Sequence, residues 1–285
     1  MMQNKEEHNY LDMLRHILEQ GEKRQDRTGI GTLSVFGTQL RFSLEDNVVP
    51  MLTTKKMFAR GVIEELLFFL RGDTDTKKLE AKGVNIWKGN TSREFQEKQG
   101  LVWLREGEMG KGYGWEWRRF GTELHSVDQV KEVLISLKEN PYGRRHIITA
   151  WNPCDLRATV LPPCHTFYQF YVSDGKLSCQ FYMRSVDTFL GLPFNILSYA
   201  CLTRIIAQTV GLGTKELVFT GGDTHLYFNH IEQVKEQLGR EPYEFPKMTI
   251  GRATSSIEDI EALQFEDFEI TGYKSHPTIK AEMAI

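Results

Sequence analysis

Residues 166–183 read TFYQFYV, SDGK, LSCQFYM: two aromatic-rich runs of strand composition joined by an Asp-Gly turn signal. This hairpin constrains the fold more than any other stretch. It is followed by the longest apolar helical pattern in the chain, NILSYACLTRIIAQTVG at 195–211. Sheet and helix must therefore pack on one another. Further helical patterns cover 9–20, closed by Gly21, then 60–70, apolar nearly all round, then 127–139 and 226–238. Strands are expected within 27–44, at 146–151, and late in the chain around PYEFPKMTI and FEDFEITGY. The elements mix without strict βαβ alternation, which predicts an α+β fold. The reading is a single domain over 1–285, a mixed twisted β-sheet packed with helices. Residues 72–125 hold four of the five tryptophans amid Gly, Lys and Glu, and read as a variable, partly helical insertion beside a ligand site.

Charge and cysteine usage narrow the function classes. A formal net charge of −3 gives no general basic field, so long nucleic acid is not an expected partner. No apolar run approaches a membrane span, and the polar start MMQNKEEHNY lacks the apolar core of a secretory signal. Cys154, Cys164, Cys179 and Cys201 lie far apart with no CxxC, so neither a disulfide framework nor a metal site is expected. A reduced, cytoplasmic chain is the reading. RGD at 71–73 and NTS at 90–92 lack the context that would make them adhesive or glycosylated. GxGxxG and GxxxxGK are absent, so neither a Rossmann site nor a P-loop is indicated.

Cys164, in LPPCH, stands behind two prolines that stiffen its approach. That suits a buried structural thiol and equally a nucleophile held still. Adjacent strand residues face opposite ways, so His165 is a poor base for Cys164. Arg27, Arg144, Arg145 and Arg184 sit at turns and strand ends beside Gly, Ser or Thr, as in a grip on a small phosphate. Asn195 is either the N-cap of the long helix or a reader of a pyrimidine edge, its amide offering donor and acceptor side by side. Glu64 and Glu65 interrupt an apolar helix, and at least one must face protein. His225 and Tyr227 follow what reads as a glycine turn in TGGDTHLY and can complete a polar cluster.

DRTG, TTKK, EELLFFL, YGRRHIITAWNP, LPPCH, GLPFN, TGGDTHLY and the ending PTIKAEMAI occur in order along nearly the whole chain. Together they resemble the folate-dependent thymidylate synthase family. The resemblance implies conversion of dUMP to dTMP with 5,10-methylenetetrahydrofolate as carbon and hydride donor. It implies Cys164 as the nucleophile, and Glu65, Asn195, His225, Tyr113 and Asp187 as the rest of the catalytic group. Arg27, Arg184 and Ser185 would hold the phosphate, joined across a homodimer interface on the sheet face by Arg144 and Arg145. Asn195 and His225 would bind the nucleotide, and Tyr227 its sugar. Trp87, Ile86, Asp187, Leu190, Gly191, Phe194 and Ala284 would line the folate site, with Met283–Ile285 closing over it.

Some positions depart from the family pattern. GKGYG replaces the usual GPVYG, Trp115 and Glu116 follow where Lys or Phe and then Gln are common, and Met183 replaces the glutamine of YQRS. A histidine often seen in the TTKKMFARGVIEE stretch is missing. A sister activity therefore competes, a hydroxymethylase in which water replaces the hydride and polar bulk at 113–117 admits it. dCMP is disfavoured as substrate because Asn195 is not Asp. An inactive nucleotide- or RNA-binding relative is the third reading, and no expected residue has been lost to favour it.

Overall fold

The computed structural model describes residues 4–122 and 124–283. Helix α1 (Lys5–Gln20) starts at Asn4, whose side chain accepts the Glu7 N–H at 3.1 Å, and stops at Gly21. After it come β1 (Glu22–Arg24), β2 (Thr32–Ser43) and α2 (Ala59–Leu70). Then follow α3 (Lys77–Glu80), α4 (Arg93–Lys98), α5 (Tyr113–Arg118) and the small pair β3 (Phe120–Gly121) and β4 (Ser126–Val127). Next are α6 (Gln129–Glu139), β5 (Ile147–Thr149), β6 (His165–Ser173), β7 (Lys176–Asp187), α7 (Gly191–Val210) and β8 (Gly213–Tyr227). The chain ends through α8 (Ile231–Leu238), β9 (Lys247–Ile250), α9 (Ile257–Ala262) and β10 (Phe268–Thr271).

Among the described residues the main sheet runs β1-β2-β8-β7-β6-β5. The predicted hairpin is β6–β7, with Ser173 opposite Lys176. Asp174 and Gly175 take φ of 52° and 69°, the backbone a two-residue hairpin turn demands. β7 and β8 are parallel while the other neighbours are antiparallel. A parallel pair needs a crossover, and α7 is that crossover. α7 is apolar nearly all round because it is buried between the sheet and α2.

Three readings need correction. The helix expected at 226–238 starts late, since β8 runs through Tyr227, a 3-10 turn covers Phe228–His230 and α8 begins at Ile231. The glycines of TGGDTHLY lie inside β8 and not in a turn. A Cβ at Gly222 would stand 2.7 Å from the Tyr182 hydroxyl and 3.1 Å from the Arg184 carbonyl, so close approach explains that glycine. Asn195 lies within the first turns of α7, whose N-cap is Leu190, so it is not a cap.

The core fills the helical side of the sheet, where Phe181 stacks on Tyr199 of α7 at 4.2 Å and Phe219 tilts against Phe181. The opposite face leaves Phe36, Ile147, Phe167 and Tyr171 exposed, Phe36 at 86%. The stretch 72–125 is partly helical, and Gln96 ties it together by donating to the carbonyls of Arg105 and Glu108. No helix among the described residues is long and apolar enough to cross a membrane. Nor do those residues group three His, Cys, Asp or Glu for a metal.

One buried carboxylate organises the segment after β2. Glu7, fully buried, accepts from the backbone N–H and hydroxyl of both Thr53 and Thr54. Burial pushes its carboxyl up, and those bonds pull it back. The next residues, Lys55 to Phe58, line a cleft of about 960 Å³. Glu7→Ala would leave buried donors unpaired, at an expected cost of about 2–4 kcal/mol in urea unfolding.

Candidate active site

Cys164 stands at the entrance to β6, half-buried, on backbone fixed from three directions. Its N–H donates to the Tyr113 hydroxyl at 2.8 Å, and its carbonyl accepts from the Arg184 N–H at 2.9 Å. The Arg184 guanidinium donates at 2.8 Å to the carbonyls of both Pro162 and Pro163, with one nitrogen 3.8 Å from the Cys164 sulfur. The prolines thus offer two carbonyls that no ladder consumes, and one arginine collects both. Burial pushes the Cys164 thiol up, while Arg184 and Arg27 pull it down.

His165 turns away from Cys164, as the strand argument predicts. It stacks on Tyr113 at 3.9 Å, and its Nδ1 bonds the Tyr199 hydroxyl at 2.8 Å. Burial alone pushes its imidazole down to about 3, so it stays neutral and cannot be the base. Cys179 and Cys201 are fully buried, with thiols pushed up to about 12 by burial, and serve as core.

Both glutamates of α2 face protein. Glu64 pairs with Lys82 at 2.6 Å. Glu65 accepts from the Trp87 indole N–H at 2.6 Å, and burial pushes its carboxyl up to about 7 against that bond. A carboxyl poised there can pass a proton at neutral pH.

The parallel pairing sets Asp187 beside His225 and Ser185 beside Asp223. Asp187 accepts the N–H groups of Phe189 and Leu190, both at 3.1 Å, and shapes the turn into α7. A Cβ at Gly191 would lie 3.5 Å from Asp187 Cβ and 3.9 Å from Asn195 Oδ1, which places all three together. His225 bonds Asp223 at 3.2 Å through Nδ1 and meets the Tyr227 ring edge-on at 5.2 Å. The Tyr227 hydroxyl is pushed up to about 12 by burial, then by Asp187 and Asp26. Asp223 escaped the sequence reading; its one signal was its place two residues before His225, on the same face of a strand. Ser34 and Arg24 also bind it, at 2.7 Å each.

Arg27 rides an exposed loop shaped by Asp26, which accepts from Thr28 and from the Gly31 N–H. Arg144 and Arg145 are exposed beside β5, the sheet's edge, and no bond among the described residues joins them to the Cys164 cluster.

A cleft of about 960 Å³ opens nearby, lined by Lys55, Met57, Phe58, Leu190, Phe194, Asn229, Gln233 and the Thr278–Glu282 tail. Leu190 and Phe194 were expected there. Ile86, Trp87, Asp187 and Gly191 do not line it, and neither does Cys164. Burial pulls Lys55 down to about 7, partly offset by Asp187, and its Nζ donates to the Phe189 carbonyl. His230 holds the tail through the Glu282 carbonyl at 2.7 Å. Met283 is exposed, while Ala284 and Ile285 lie outside the described residues.

The thymidylate synthase family model matches residues 8–285. The chain belongs to that family. Human thymidylate synthase is 50% identical over 285 residues, covering 97% of this chain and 90% of that protein. The Saccharomyces cerevisiae thymidylate synthase is 49% identical over 301 residues, covering 99% and 98%. Thymidylate synthase 1/2 of Encephalitozoon cuniculi is 48% identical over 287 residues, covering 98% and 97%. Of the motif residues, Tyr113 and Arg184 contact Cys164 directly, whereas Lys55, Leu190, Phe194 and the tail line the separate cleft.

Arg184→Met removes the cation nearest the Cys164 sulfur. The thiol pKa should rise further, and alkylation by iodoacetamide near neutral pH should slow by about tenfold for each pH unit of that rise.

Proposed function

We propose that the protein methylates dUMP to dTMP, with Cys164 as nucleophile and a methylene-bearing reduced folate as second substrate. The observation that carries this is Cys164 itself: a half-buried sulfur on triply fixed backbone, 3.8 Å from a guanidinium, in a chain of this family. The cleft suits the folate, since Phe194, Leu190 and Phe58 offer apolar surface for a fused ring while the exposed Lys56 offers a cation for its carboxylates.

The thiolate adds to C6 of the uracil, and C5 becomes nucleophilic and bonds to the one-carbon unit. The folate supplies that carbon and then a hydride. Loss of the C5 proton and departure of the thiolate complete the methyl group, leaving dihydrofolate. Glu65, poised near neutrality beside Trp87, is the group assigned to proton movement. Tyr113 positions Cys164 through its backbone N–H. Asn195 and His225 are assigned to the base, Tyr227 to the sugar, and Arg27, Arg184 and Ser185 to the phosphate. Because two bonds to proline carbonyls already engage Arg184, its role divides between holding the nucleophile and meeting the phosphate.

A homodimer is supported by the exposed apolar side chains of Phe36, Ile147, Phe167 and Tyr171 on the sheet face opposite the core. Arg144 and Arg145, exposed beside Ile147 at that face's edge, are assigned to a partner's phosphate site.

The hydroxymethylase reading finds no support. Trp115 is held between Lys111 and Arg119, while Glu116 and Met183 are buried at 1% and 3% exposure. None of the three lines the cleft, so none brings water to it.

With dUMP and methylenetetrahydrofolate, dTMP and dihydrofolate should appear one for one. 5-Hydroxymethyl-dUMP with unoxidised tetrahydrofolate would overturn the reading. Cys164→Ser should lower turnover by about three orders of magnitude or more while the fold, read by unfolding midpoint, is retained.

A further inference from the structure

Glu116 sits on α5 three residues after Tyr113, and its environment is unbalanced. Its Oε1 has no partner among the described residues. Its Oε2 receives the Asn152 amide at a long 3.4 Å, while the same nitrogen bonds Asp155 more closely, at 2.8 Å. The adjacent cation is also taken, since Lys111 pairs with Asp155 at 2.8 Å. Asp155 thus holds a lysine and an amide, and Glu116 is left with a share of one amide in a site closed to water. Two buried carboxyls with one cation between them favour a single shared proton.

We propose that Glu116 is a positioning residue that acts as a neutral carboxylic acid, donating to Asp155 and thereby tying α5 to the 152–164 segment that presents Cys164. What it holds in place is Tyr113, whose hydroxyl receives the Cys164 N–H and whose ring stacks on His165. Main-chain bonds join the same two segments, Lys111 to Ala158 at 2.9 Å and Val160 to Met109 at 3.0 Å. A second negative charge between them would push apart the parts that fix the nucleophile.

The groups facing Glu116 agree with this. Burial pushes it up, then Asp155, while Asn152 and Lys111 pull it down, and it comes to about 7. From α6, Gln129 donates to the main-chain carbonyls of Glu116 and of Thr149 in β5. From α2, Phe69 packs on Tyr113 and Trp117. The neighbouring Arg118 is engaged by Asp128 and Glu261.

The role rests on Cys164 as nucleophile, so the test carries a readout independent of turnover. Wild type, Glu116→Gln and Asp155→Asn are compared from about pH 6 to about pH 9 for kcat/KM, Cys164 alkylation and the urea midpoint. Glu116→Gln keeps a donor toward Asp155 at every pH. Its kcat/KM relative to wild type should therefore rise severalfold across that range, and its relative alkylation rate should change with the same midpoint. A carboxyl raised in the folded state costs no stability below its unfolded value and loses stability as pH rises through its folded value. The Glu116→Gln urea midpoint should accordingly gain on wild type as pH rises from the ordinary carboxyl value of 4.5 to about 7, and hold that lead above it. Asp155→Asn removes the repelling charge and should flatten the same profiles, which keeps the test open if Glu116→Gln folds poorly. A flat kcat/KM ratio overturns the proposal, even if the urea midpoints diverge, because the pair would then titrate without positioning anything. If wild type makes no dTMP, the proposed reaction fails separately, and the alkylation ratio decides the role of Glu116.

Discussion

The parallel pairing of β7 with β8 is the constraint on which the rest of the site depends. It forces a crossover, and the crossover helix α7 buries itself along its whole length. It also sets register, so that Asp187 falls beside His225 and Ser185 beside Asp223. A slip of one residue would turn each of these to the other face. Gly222 permits the approach, because a side chain there would collide with Tyr182 and the Arg184 backbone.

Around that frame the chemistry is tuned mainly by desolvation. Burial raises Glu65 toward neutrality, lowers Lys55 to the same region and drives His165 far below it. The thiolate of Cys164 is opposed by burial and favoured by Arg184 and Arg27, and Arg184 also binds main-chain carbonyls. Structural and chemical duties therefore fall on the same side chains.

Much of this was legible in the residues. The hairpin and its turn, the buried helices and the divergence of His165 from Cys164 follow from local period and turn chemistry. β8 was not legible, because its glycines and polar residues mimic a turn, and only pairing on both edges makes it a strand. Asn195 looked like a cap for a comparable reason: Asp187, eight positions earlier, supplies bonds to the turn that a cap residue would have offered.

The sequence by itself determined the family and the α+β class and named the candidate reactive side chains, because these reside in local pattern and in motifs kept in order. Only the tertiary structure decided which carboxyls are buried, that Asp223 holds His225, that Arg184 holds the prolines, and that Glu116 faces Asp155 and not the cleft. Those facts arise from segments far apart in the chain, and desolvation and charge pairing exist only once folding has brought them together.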